Sequence, residues 1–238
     1  TSGSRNTAIG QFALRDTTTS SSSVAVGYAA LMSNTGSGFN TAVGYQALTS
    51  GTSAENNTAV GFAALYSATT GNNNTSVGAY ANDSNTTGAN NVAIGRNSLG
   101  ANISGNYNTA IGTNALLNNT ADSSCAVGVE ALEQNTSGTE NSAFGSFAVD
   151  ANTTGNNNTG CGFAALGGST TGSSNTAVGN RALLNASTAS FNTAVGHGTF
   201  YTSTTGAQNT GVGTFAGYFN TTGTDLTAIG YDALKSNT

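Results

Sequence analysis

The sequence predicts an all-β protein, a parallel β-solenoid or β-roll built from fourteen seventeen-residue coils. Three observations lead there. Fourteen glycines, running from Gly10 through Gly27, Gly44, Gly61 and Gly112 to Gly179 and Gly230, recur at a constant interval of seventeen, shortened by one only between Gly112 and Gly128. A unit that short cannot bury an apolar face alone, whereas copies stacked along one axis share a continuous core. The residue before each glycine is Val or Ile in twelve copies, with Phe144 and Cys161 in the other two, and Ala stands three after it in twelve. Composition supplies the third observation: no proline, no tryptophan, 6% charged residues and a preponderance of Asn, Thr, Ser, Gly and Ala. Low hydrophobicity alone would suit a disordered chain, but low net charge and constant phase speak against disorder.

The first element of each coil is a strand. Thr, Asn, Gly and Ser are poor helix formers, and in Thr41-Ala42-Val43 alternation puts Thr and Val on one face and Ala on the other. Because Val24, Val92 and Cys125 replace the Thr, that face reads as inward and the alanines as outward. The glycine then bends the chain, Gly44, Gly61, Gly112 and Gly179 being structural in this sense. Leu48 and its equivalents return to the core, which is predicted to hold Val43, Leu48, Val60, Leu65, Val178 and Leu183. Segments such as Asn85 to Gly88 and Asn152 to Gly155 make the second turn. Each coil is thus expected to carry two short strands, paired in parallel with its neighbours. The residue missing between Gly112 and Gly128 falls in the turn around Asn118 to Ser123, where its loss leaves the strand register untouched. Residues 1–5 read as a lead-in, and 6–238 as one repeat domain.

One Val or Ile and one Leu per coil make a thin core for so many ordered residues. Two further sources of stability are predicted: ladders of Asn and Thr hydrogen-bonding from coil to coil, and burial of the outward alanine faces against other copies of the chain, which makes a homo-oligomer the expected state.

Chemistry finds little support, and the chain reads as a non-enzyme without cofactor. Its single histidine, His197, follows a repeat glycine where other copies carry Tyr, Phe, Thr, Arg or Asn, and reads as an exposed surface residue. Glu130 and Glu133 share a coil, with Asp122 nearby, but paired carboxylates need a cleft and a shifted pKa for acid-base work. Cys125 and Cys161 replace residues of the inward columns two coils apart, about 9 to 10 Å, too far for a disulfide, and read as buried free thiols. No metal site is expected from this set. Five basic residues against ten acidic ones leave no positive stripe for nucleic acid. No apolar run is long enough for direct membrane insertion.

What remains is surface. The two positions after each glycine hold half of the aromatics, and Tyr28, Tyr45, Phe62, Phe163, His197 and Tyr231 are the candidates for surface contact, either stacking on sugar rings or packing at turns and between chains. A second column, Thr35, Thr52, Thr69 and Thr86, suggests an ice-binding solenoid, since a flat array of threonines on a rigid coil can order water.

The wording Asn40 to Leu48, Asn-Thr-Ala-Val-Gly-Tyr-Gln-Ala-Leu, resembles the head repeats of trimeric autotransporter adhesins of the YadA type, whose unit is close to Asn-Ser-Val-Ala-Ile-Gly. It is also similar to repeat regions of phage tail fibres. The resemblance covers nearly the whole chain. It implies a homotrimer of left-handed parallel β-rolls, and an extracellular location on a bacterial cell or virion surface. It also implies neighbouring stalk and anchor segments in a longer polypeptide. The expected function is a structural and adhesive fibre module that attaches its bearer to a host or partner surface through a glycan or a protein. The alternatives left open are the ice-binding (antifreeze) solenoid and a spacer that binds nothing.

Overall fold

In the computed structural model, residues 3–237 are described. Among them the chain forms fourteen strands of three residues and no helix. The strands are β1 (Thr7–Ile9), β2 (Val24–Val26), β3 (Thr41–Val43), β4 (Thr58–Val60), β5 (Thr75–Val77), β6 (Val92–Ile94), β7 (Thr109–Ile111), β8 (Cys125–Val127), β9 (Ser142–Phe144), β10 (Thr159–Cys161), β11 (Thr176–Val178), β12 (Thr193–Val195), β13 (Thr210–Val212) and β14 (Thr227–Ile229). They fall into two compact units, Thr1–Ser123 with β1 to β7 and Ser124–Thr238 with β8 to β14. Within each unit every strand pairs in parallel with the next at an offset of one repeat, as in Thr41↔Thr58 and Thr176↔Thr193. The chain is therefore the all-β parallel solenoid that the glycine period predicts, one turn of backbone per repeat.

Each coil holds one strand rather than the two expected. The segment carrying the leucine is a succession of turns, because two of its residues take positive φ in nearly every copy, for example Ala63 at 51° and Leu65 at 52°. Such residues cannot extend a ladder. They still satisfy their backbone across the coils: Ala63 N–H donates to the Tyr45 carbonyl on one side at 2.9 Å, and Leu65 N–H to the Ala81 carbonyl on the other at 2.9 Å.

The strand faces are reversed relative to the prediction. Ala25, Ala42, Ala59 and Ala177 are completely buried, whereas Val43 and Val60 are only half-buried and Val178 is 38% exposed. The valines therefore leave the predicted core, while Leu48, Leu65 and Leu183 are wholly buried in it. The reason is the flatness of the coil. The strand lies so close to the opposite Ala-Leu wall that the inward position has room for little beyond a methyl. In the β10 coil even that is missing, since a Cβ on Gly160 would sit 2.6 Å from Val149 Cγ2 and 2.9 Å from the Ala165 carbonyl. Phe200, fully buried where other coils carry Leu, is accommodated by glycines in the next coil: added carbons at Gly211 and Gly217 would come within 2.6 and 2.2 Å of its ring.

Polar ladders close each coil. Asn57 is 1% exposed; its Nδ2 donates to the Gly71 carbonyl at 2.9 Å, and its Oδ1 accepts the Asn74 N–H of the next coil at 2.8 Å. The same pair of bonds recurs at Asn74, Asn91 and Asn158. A second asparagine column makes the other turn: Asn102 Nδ2 reaches the Gly105 carbonyl three residues on, whereas Asn119 Nδ2 reaches Ala121 only two residues on. The missing residue of the β7 coil therefore lies between Asn119 and Ala121, inside the predicted turn.

Asn82 breaks the pattern. It occupies a leucine position, is completely buried, and neither polar atom of its amide meets a partner. Its φ of 52° matches the 52° of Leu65 and 56° of Leu99 on either side, so the backbone already suits leucine. An unsatisfied buried amide costs about 1–3 kcal/mol. Asn82→Leu should raise stability by about that amount, read as a higher urea midpoint with unchanged slope.

Candidate surface site

The aromatic residues that follow the glycines form a ladder in the first unit. Phe12, Tyr28, Tyr45, Phe62 and Tyr80, one from each of five successive coils, have ring centroids 5.5, 5.0, 5.2 and 5.1 Å apart. The rings repeat at about the spacing of parallel strands because each stands in nearly the same place on its coil. Tyr28, Tyr45 and Phe62 are stacked, with interplanar angles of 12° and 4°, so their faces are largely turned to one another and their edges to solvent. They remain 39, 47 and 45% exposed. Tyr80 is rotated 68° from Phe62, and the next coil carries Arg96 and Asn97, so the ladder ends there.

The other predicted contact residues are not part of this ladder. Phe163 pairs edge-on with Phe147 at 5.7 Å and lies under the Arg181 guanidinium at 5.8 Å. His197 is exposed and meets Phe215 edge-on at 5.1 Å, with Lys235 over the far ring at 5.2 Å. Tyr231 is 74% exposed. Phe163, His197 and Tyr231 belong to the second unit and Tyr28, Tyr45 and Phe62 to the first.

Two surfaces escape a reading of the sequence. One is the outward strand face, where the reversed alternation puts large apolar residues: Ile94 and Ile111 in the first unit and Phe144, Val178, Val195 and Val212 in the second are 36 to 43% exposed. The other is a pair of hollows flanking Tyr80 and Asp83. The larger, about 440 Å³, is lined by Tyr80, Asp83, Ser84, Asn97, Gly100, Ala101 and Leu117; the smaller, about 280 Å³, by Gln46, Phe62, Ala63, Tyr66, Tyr80 and Asp83.

The threonine column is bound into the scaffold. The Thr35, Thr52, Thr69 and Thr86 hydroxyls each donate to a main-chain carbonyl of the following coil at 3.1 to 3.3 Å. The cysteines are free, but the inward placement is corrected: Cys161 is exposed and Cys125 half-buried, because both stand in columns of the outward strand face.

Of the predicted acidic group, Asp122 instead accepts the Asn106 N–H at 2.6 Å. Glu133 and Glu130 act on Asp150, whose carboxyl is pushed up to about 6, mainly by burial and further by those two charges, against backbone hydrogen bonds that lower it. A carboxyl whose pKa rises on folding contributes stability that is present below the ordinary carboxylate range and is lost as pH rises through about 6. Asp150→Asn should therefore raise the melting temperature at pH 7.5 by about 2 °C, the group being half solvated. At pH 4 the difference should vanish, and paired thermal melts at the two pH values check it.

No protein family, curated protein or solved structure matches the chain.

Proposed function

We propose that the chain is a structural and adhesive module of a homotrimeric surface fibre, displayed outside a cell or on a virion and attaching it to a host or partner surface. The observation that carries this reading is the Val/Ile column on the outward strand face, half-buried in β2 to β5 and β8 and exposed in most other coils, with Phe144 and Cys161 its two exceptions. The reading takes a second and a third copy of the same chain as its cover, because each copy offers the same β-branched stripe at the same spacing and identical ladders can match coil for coil. The likeness of the repeat to trimeric adhesin heads and tail-fibre repeats points the same way. The alanine faces, buried within each coil, play no part in that contact.

An ice-binding surface is supported less well, since the hydroxyls of the threonine column are engaged in the coil-to-coil ladder and Ile103 interrupts the column. The test is the mass of the purified particle by light scattering. Three times the 23.4 kDa of one chain is expected, and Val178→Lys combined with Val195→Lys should lower it to a single chain. A native chain that is monomeric at micromolar concentration, or a trimer that fails to adhere to any bacterial or host cell in a whole-cell assay, would overturn the reading.

A further inference from the structure

The column five residues after the glycines reads Asp83, Gly100, Leu117 in three successive coils of the first unit, and Asp150, Gly167, Leu184 in three successive coils of the second. Elsewhere the same column carries larger side chains such as Met32, Thr49, Tyr66 and Tyr201. The glycine therefore opens a gap in a ridge that is otherwise filled. A Cβ on Gly100 would stand 3.0 Å from Leu117 Cδ1 and 3.8 Å from Asp83 Oδ1; at Gly167 the corresponding distances, to Leu184 Cδ1 and Asp150 Oδ1, are both 3.1 Å. Each notch thus has a carboxylate on one wall, a leucine on the other and a glycine at its base. An aromatic, Tyr80 or Phe147, precedes the carboxylate by three residues in both.

The first notch is the better furnished. Its 440 Å³ hollow adds Ser84 and Asn97 to the lining, where the second copy has Ala151 and Ala164. Tyr80 ends the aromatic ladder, so one ring face is not covered by another ring. Asn97 Nδ2 donates to Asn114 Oδ1 at 3.2 Å, which holds its amide in place. Asp83 is half-buried and partly stripped of water, which raises its pKa. A ring face beside a carboxylate, a hydroxyl and an amide offers apolar surface for C–H groups, together with acceptors and donors for hydroxyls.

We infer that this notch, bounded by Tyr80, Asp83, Gly100 and Leu117, binds a neutral saccharide unit. The inference names a ligand class for the attachment function proposed above and rests on that reading for its biological purpose. An anionic sugar is disfavoured by the Asp83 carboxylate and by the net charge of −5. A quaternary ammonium group is the competing chemistry, since ring face and carboxylate both attract a cation. Ser84 and Asn97 favour the saccharide, because hydroxyls can use both and a methylated ammonium can use neither.

The experiment is a titration of the full chain with the methyl glycosides of glucose, galactose and N-acetylglucosamine. N-acetylneuraminic acid and tetramethylammonium chloride are run in parallel, with amide shifts and calorimetry as readouts. At least one neutral glycoside should move the amides of Ser84, Asn97 and Gly100. Gly100→Leu, a side chain that the same column carries at Leu117 and Leu184, should weaken binding about tenfold or more with the melting temperature retained. Gly100→Ala, a milder filling, should weaken it less, and Asp150→Asn should leave it unchanged. The inference falls if no neutral glycoside moves those amides, if tetramethylammonium alone does, or if a folded Gly100→Leu or Gly100→Ala binds as tightly as the parent. A trimer that adheres to cells yet ignores every glycoside would sink this inference alone, whereas a monomer that binds a glycoside would sink the fibre reading and leave the notch standing.

Discussion

Replacing Gly61 with alanine is expected to cost more than about 3 kcal/mol, a fall of roughly 10 °C in melting temperature for a chain of this size. Two effects add. Gly61 sits at φ 139°, within the 122–143° span of the repeat glycines, a region that residues with a Cβ avoid. A Cβ there would also lie 2.5 Å from the Gly78 carbonyl oxygen and 2.7 Å from its carbon. Because those atoms are backbone in the next coil, relief requires the parallel coils themselves to move apart. Gly36→Ala is the matched control: Gly36 has no positive φ, and its added carbon would meet only Thr19 Oγ1 at 3.6 Å. That variant should be neutral or stabilising by about 0.5 kcal/mol, through the lower entropy of its unfolded chain. Thermal melts of the two variants side by side check the claim, and equal losses would refute it.

The second large effect is expected from the buried asparagine ladder. Asn158 Nδ2 donates to the Gly172 carbonyl at 2.8 Å and so closes its own coil. Its Oδ1 accepts the Asn175 N–H and the Asn175 Nδ2 of the next coil, both at 3.1 Å. Alanine at this position would leave a carbonyl and an N–H buried and unpaired, at about 1–3 kcal/mol for each. The expected loss is therefore about 3 kcal/mol or more, against less than about 0.5 kcal/mol for Thr154→Ala at an exposed turn. Urea unfolding measures both. Should Asn158→Ala unfold at the parent midpoint, the ladder would be decorative rather than structural.

Much of the architecture was legible because the constraints repeat. A glycine once per coil, a leucine four after it and an asparagine four before it can recur through the chain only if each coil lies in register on the last. Gly44, Gly61 and Gly179 accordingly take the backbone bend assigned to them, and Leu48, Leu65 and Leu183 line the interior. The strand triplet was legible only in part. Alternation in Thr41-Ala42-Val43 says which residues share a face, not which face is inside, and the apolar replacements Val24, Val92 and Cys125 favour the wrong choice. The candidate site was less legible still. Tyr28, Tyr45 and Phe62 were visible as a column, but their mutual stacking depends on side-chain angles that no spacing encodes. The notch at Gly100 carries no signal in the sequence, because one glycine in a glycine-rich chain is set apart only by the side chains above and below it in the fold.

Repetition in the sequence determined the coil length, the parallel pairing and the columns, since covalent geometry gives a strand its period of two and stacking gives every residue a partner one repeat further on. The tertiary structure decided what lies inside those coils and what faces water. The distance between the strand and the opposite Ala-Leu wall leaves room for a methyl and excludes an isopropyl group. Alanine is therefore buried, and valine, isoleucine and threonine form the outer surface on which the proposed assembly rests.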